Sequence, residues 1–223
     1  MEDKNILSQN EIEEEIRLSQ TQGRPANFRG RILPNLSLHG RNLKTGLDLE
    51  SAIVLGSIFL ENTSIKGDLN LNRTIIKGVF YFGSSNLEGN LNFEEANVKG
   101  IVNLVGSEIK GNLNFRGLTI NGFLSLAKTG VEGNLNFEKI KVNDSYNAGL
   151  VIKGDVYLRN ASISGYLNME KGLIEGSLDL FSAFIAKDVN LKDTIIEDSL
   201  ILKQEKIQGK LITQETQYKH IIR

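Results

Sequence analysis

The sequence predicts an all-β protein, a parallel β-helix (β-solenoid) of about eight 22-residue four-sided coils with a short N-terminal capping helix. Three observations carry that expectation. The string "GNLNF" recurs at Gly89, Gly111 and Gly133, 22 residues apart each time. From Ile32 the chain divides into elevens such as "IKGDLNLNRTI", "LEGNLNFEEAN" and "VKGIVNLVGSE". In these, position 1 is Ile, Leu or Val, positions 5 and 7 are large and apolar, position 10 is mostly small and position 3 is usually Gly. Position 4, finally, alternates in character: Asp68, Val79, Asn90, Ile101, Asn112, Phe123, Asn134. A fixed long period marks a repeat architecture, and the alternation makes two elevens one coil.

Each element follows from its local pattern. Residues 1–23 are expected to carry the cap. In "SQNEIEEEIRLSQ", Ser8 stands three residues before Glu11 as a capping box, acids crowd the first turn where the helix dipole favours them, and Ile12 and Ile16 share a face. That face is expected over the first coil near Phe28 and Ile32, because an uncovered solenoid end leaves strand edges open to aggregation. Residues 24–213 are expected to form the solenoid. Apolar steps of two are short extended pieces with both side chains inward, and steps of three and four are corners. The Gly at position 3 suits a corner that needs positive φ or a bulge. Successive windings stack in parallel at about 4.8 Å into a rod of roughly 40 Å. The ten "VNDSYNAGLV" at 142–151 is one residue short, yet the alternation stays in phase across it, so it reads as an irregular half-turn that bulges outward. Residues 214–223 form a tail whose Tyr218, Ile221 and Ile222 either cover the last coil or pair with another copy.

Composition narrows the function classes. Of 223 residues, 40% are apolar and 24% charged, as in an ordinary folded domain. A net charge of −1 supplies no overall field toward nucleic acid or an anionic membrane. Without cysteine there are neither disulfides nor thiolate metal sites. The start "MEDKNILSQNEIEEEIRL" is acidic where a signal peptide is basic, and no apolar run approaches the ~18 residues of a membrane span, so the expected location is cytoplasmic. His39 and His220 fall at opposite ends of the rod, no serine has a base at usable spacing, and the outward acids sit on a convex wall without a cleft. The expectation is a non-enzyme with no catalytic residue, no metal and no cofactor.

Steps of two and three with a small residue two before a large one, as in Ala26 to Phe28, Ala96 to Val98 and Ala161 to Ile163, resemble pentapeptide-repeat proteins. The resemblance spans Ala26 to about Thr213. It implies a right-handed quadrilateral β-helix and dimers through the C-terminal coils. That family's paired repeat is ten residues, whereas here each pair carries one more, around the Gly corner.

Three columns and one cluster bear on function. Phe93, Phe115 and Phe137 are expected to stack inside the rod as core, and Asn70, Asn92, Asn114 and Asn136 to form an outward amide ladder. Val79, Ile101, Phe123 and Tyr166, with Tyr81 beside them, form an outward apolar column that is unexpected on a monomer. This is the candidate interface, unless the helix, the "NDSYNAG" loop or the tail folds over it. Arg24, Arg29, Arg31, Arg41 and Lys44 crowd the first coils with no acid between them, just after Glu11, Glu13, Glu14 and Glu15. For this candidate basic patch, mutual pairing is the plain account and phosphate binding the alternative. The function expected is protein–protein interaction or scaffolding by a homo-oligomer, a dimer, with a protein partner, no membrane and no nucleic acid. Two alternatives come from other classes. A pentapeptide-repeat DNA mimic acting on a topoisomerase wants a more acidic surface, and a bactofilin-like polymer former wants bare ends.

Overall fold

The computed structural model describes residues 6–223 apart from 123, 127, 138, 143–145, 148–150, 153, 164 and 204, and only the backbone of 146, 147, 151 and 162. Two-residue strands separated by corners wind around a four-sided core, and every sheet is parallel. Among the described residues the first side stacks nine strands, from Ile32–Leu33 to Lys206–Ile207, and the second side nine, from Leu36–Ser37 to Leu211–Ile212. The third and fourth sides merge into one seventeen-stranded sheet, because Ile195–Ile201 crosses the corner between them unbroken. Strands this short have no independent stability. What holds them is the next coil: Leu91 pairs with Leu69 on one side and Leu113 on the other, and its N–H donates to Asn112 O at 2.9 Å.

Between Ile32 and Thr213 the eleven-residue register holds with two exceptions, and past Thr213 it shifts once more, between Tyr218 and His220. In the first coil Leu33, not Ile32, points inward: Leu33 is fully buried and pairs with Val54, 21 residues on, whereas Leu36 pairs with Ile58, 22 on. The corner between Leu33 and Leu36 is therefore one residue tighter than those that follow. The ten at 142–151 is a half-coil, with Lys141–Val142, Tyr146–Asn147 and Val151–Ile152 all paired. Tyr146 lies 22 residues after Leu124 and 21 before Leu167, which puts the missing residue between Asn147 and Val151. Whether this half-coil bulges falls outside the described residues. Past Thr213 the winding continues, since Gln217–Ile222 pairs with Ile195–Ile201.

The corners correct one expectation. Gly at position 3 is not there for positive φ. It is there because successive corners touch: a Cβ on Gly111 would lie 2.6 Å from Gly89 O and 2.7 Å from Gly89 C. Left-handed backbone occurs instead at position 9, where Ser51, Asn62, Arg73, Ser84 and Glu95 have φ between 53° and 59° and where Gly106 and Gly117 also stand. Each side-chain-bearing residue there costs on the order of 1 kcal/mol, and the flanking strands impose it.

The core is continuous from end to end. Phe93, Phe115 and Phe137 stack with ring centroids 5.4 and 5.3 Å apart, and Phe80 meets Phe93 edge-on at 4.8 Å. The small residues of position 10 have a job that their size alone does not reveal. Thr74, Ser85, Thr129 and Thr194 are buried, and each hydroxyl donates to the carbonyl of a position-7 residue one coil earlier, as Thr74 Oγ1 does to Leu49 O at 2.7 Å. Without that bond a buried hydroxyl costs roughly 1–3 kcal/mol.

The N-terminal helix spans Gln9–Gln22 and carries the expected capping box, with Ser8 and Glu11 bonded reciprocally. A left-handed Gly23 ends it. Leu7, Ile12 and Ile16 are buried in the same core as Phe28 and Leu33, and Leu7 N donates to Ile32 O at 2.8 Å. The helix thus closes the first coil. It is also the sole helix among the described residues, and no helix here is long and apolar enough to cross a membrane.

Candidate interaction surface

Positions 4 and 6 decide what the rod shows to its surroundings. At position 6 each Asn performs two tasks: Asn92 Oδ1 accepts from Glu94 N at 3.1 Å, closing the corner as an Asx turn, and from Asn114 Nδ2 at 3.0 Å, linking coils. At position 4 the carboxyl or amide oxygen accepts from the backbone N–H of the same position one coil on. Asp68 serves Asn90 at 2.7 Å, Asn90 serves Asn112 at 2.9 Å, and Asn112 serves Asn134 at 2.9 Å. Between these two columns lies a shallow amide-lined groove of about 360 Å³ running from Asp68 to Asn114. The corner geometry therefore favours an oxygen-bearing side chain at position 4.

The opposite corner keeps this bond near its two ends, where Asn35 serves Ser57 at 2.7 Å and Asp188 serves Lys210 at 2.8 Å, and forgoes it at Val79 and Ile101. Val79 stands over Ser57, whose Oγ still accepts from Val79 N at 3.1 Å, but Val79 offers Ile101 no such acceptor. Val79, Ile101 and Tyr81 are half-buried on adjacent coils. Tyr81 packs on Phe59 with centroids 5.9 Å apart. Tyr166 is 38% exposed but stands three coils beyond Ile101, and Phe123, between them, lies outside the described residues. The structure thus joins Val79, Ile101 and Tyr81 and leaves Tyr166 apart.

Four residues that sequence reasoning passed over complete the patch. Ile53 and Ile75 at position 11 and Leu55 at position 2 face outward on the first side, around the corner from Val79, and Phe59 flanks Tyr81. Leu55 and Ile75 are 37% and 39% exposed. The signal was available: Ile53 and Ile75 repeat at 22 residues as Val79 and Ile101 do, but an apolar residue directly before position 1 reads as part of the core run. The helix covers the first coil and Gln217–Ile222 pairs on the third and fourth sides, so neither lies over this patch.

The basic cluster is largely spoken for. Arg41 forms a bidentate pair with Glu13, both contacts at 2.7 Å, and Arg24 binds Glu15 with Nη2 to Oε2 at 3.0 Å. Glu15 Oε1 also accepts from Asn27 N at 2.7 Å. Arg29 pairs with Glu50 at 2.8 Å and Asp48 at 3.2 Å. The Arg41 guanidinium holds Glu13 below its usual carboxylate range, and Arg24 does the same for Glu15. Arg31 is exposed and adds weakly to the lowering of Glu11, which Ser8 dominates. Lys44 gives its backbone N–H to Gln20 Oε1, while its side chain is exposed. These contacts rivet the helix to the first two coils.

Fold and surface together define a class, a helix-capped parallel β-solenoid with an outward apolar patch around Val79 and Ile101. Comparison with family models, with curated proteins and with solved structures gives no match.

Proposed function

We propose that this protein is a non-enzymatic interaction rod of pentapeptide-repeat type that self-associates, with the corner around Val79 and Ile101 as its docking surface. One observation carries the reading. At position 4 the winding rewards an oxygen-bearing side chain with a hydrogen bond to the next coil, and at Val79 and Ile101 that bond is given up for apolar groups facing outward. Contiguous outward apolar surface of this kind marks an interaction site. Burying Val79 and Ile101 together with Leu55 and Ile75 supplies on the order of 4–8 kcal/mol by area, before the cost of association is subtracted.

The test exploits the same chemistry. Val79→Asn with Ile101→Asn copies the opposite corner, so each substitution is expected to add about 0.5–1.5 kcal/mol to folding stability while the mass in light scattering falls to that of a single chain. Unfolding of the double variant would mean that the protein's own chain covers the corner. Unchanged mass and stability would remove the docking assignment.

A bactofilin-like polymer former is the second reading, supported by one feature. All six residues of Gln217–Ile222 are exposed, among them Tyr218, Ile221 and Ile222, and an open strand edge of this length is a template for pairing with another chain. Rods joined end to end in electron micrographs would favour it.

A further inference from the structure

The identity of what docks at the apolar corner can be argued from charge, on the reading that the corner is a docking surface. Lys77 and Lys99, both exposed, stack one coil apart at position 2 beside Ile75, Val79 and Ile101. Half a coil away, the same position alternates in sign as Lys66, Glu88, Lys110 and Glu132, and Lys110 reaches Glu88 at 4.0 Å. Alternation is what stacked strands favour, since like charges side by side are destabilising. Lys77 against Lys99 breaks that rule; Lys44 against Lys66 breaks it too, but beside polar Asn42 and Ser64 rather than an apolar column. Glu175 against Glu197 also breaks it, near the C-terminal end of the diagonally opposite corner. Among the described residues none of Lys77, Lys99, Glu175 and Glu197 has an ion-pair partner. The two acids, exposed like the lysines, sit beside Leu173 and Ile195, and Ile195 is 38% exposed. Each corner therefore pairs an apolar column with two unmatched charges, positive on one and negative on the other.

We infer that the two corners are halves of one interface, in which Lys77 and Lys99 of one copy dock on Glu175 and Glu197 of a second copy while the apolar neighbours close together. The spacing fits. Both charge pairs are one coil apart, so both present their charges at the strand separation of about 4.8 Å, and two ion pairs form at once. Because the corners lie diagonally across the rod and about four coils apart along it, the contact is heterologous. A copy uses one corner for one neighbour and the other corner for the next, which gives an open chain of rods lying side by side rather than a closed dimer.

Charge exchange tests this directly by sedimentation velocity over a roughly hundredfold concentration range. Lys77→Glu with Lys99→Glu makes both corners acidic, and Glu175→Lys with Glu197→Lys makes both basic. Each variant alone is expected to require at least about tenfold more protein to assemble than the parent, with unchanged circular dichroism. An equimolar mixture of the two is expected to assemble as the parent does, because acidic corner then meets basic corner at every contact. Should either variant unfold, Lys77→Gln with Lys99→Gln serves in its place, with a weaker shift and a flatter salt dependence. Variants that each assemble like the parent, or a mixture that stays monomeric, would overturn the charge-matched interface. The docking corner itself would survive that result if Val79→Asn with Ile101→Asn still lowered the mass. A parent chain that is monomeric throughout would remove both.

Discussion

At Gly111 a single methyl group decides whether two coils can stack. Gly111→Ala would bring a Cβ to within 2.6 Å of the backbone oxygen of Gly89 and 2.7 Å of Asn90 Oδ1. The first contact is with main chain and cannot relax by a rotamer change, so the substitution is expected to cost 1–3 kcal/mol or somewhat more, read as a lower denaturation midpoint. At position 9, six residues after the corner glycine of the same repeat, the reverse holds. Glu95 carries φ of 57° at the site where Gly106 and Gly117 occur naturally, so Glu95→Gly is expected to be neutral or to stabilise by up to about 1 kcal/mol. Both residue types were visible in the sequence, but their roles were exchanged: the regular Gly suggested positive φ, and the true left-handed position hid behind Ser, Asn, Arg, Glu and Lys. Dihedral strain leaves a Gly signature only where nothing else enforces it. Here stacked strands enforce it in every half-coil whose position 9 is among the described residues.

At the scale of elements, the helix is the piece whose removal is most informative. Leu7, Ile12 and Ile16 bury the open end of the core, and Arg24 and Arg41 tie Glu15 and Glu13 to the coils. Deleting residues up to Gly23 is expected to expose Ala26, Phe28 and Leu33 together with the first strand edges, and to turn a discrete species into aggregates. A truncated chain that stays monodisperse with the same melting temperature would show that the helix is dispensable for solubility. The ion pairs predict how acid acts. Glu13 and Glu15 are held below the usual carboxylate value of 4.5, so their contribution is present above that value and is lost as pH falls through their lowered folded-state values. The helix is therefore expected to lose protection against hydrogen exchange, relative to the intrinsic rate at each pH, below about pH 4.5 before the central coils do. Substituting Glu13→Gln and Glu15→Gln should flatten that dependence. The capping box and the Ile12–Ile16 face were legible because both are local in sequence. The pairs with Arg24 and Arg41 were anticipated only as a class, since which acid meets which base depends on the angle at which the helix lies across the end.

At the scale of the whole molecule, the balanced charge argues about partners. A rod that imitates duplex DNA needs a dense acidic surface, whereas this chain carries 26 basic and 27 acidic residues. In its first coils Arg24, Arg29 and Arg41 are each paired with a glutamate. No inhibition of gyrase supercoiling is expected at micromolar protein, and clear inhibition would restore the DNA-mimic reading. The sequence alone determined the winding: the 22-residue coil, the two-residue strands, the inward Phe and Leu columns and the helical cap are all properties of spacing, and spacing is what a repeat preserves. It also marked Val79, Tyr81 and Ile101 as apolar residues on the outer face, where they are half-buried. Only the tertiary structure decided what lies beside them. Ile53, Leu55 and Ile75 join that column, Tyr166 stands apart from it, and Leu33 replaces Ile32 in the core, because neighbourhood on a solenoid is set by which residues share a corner and a coil. A one-residue change at a single corner shifts that arrangement without disturbing the apolar pattern from which the winding was read.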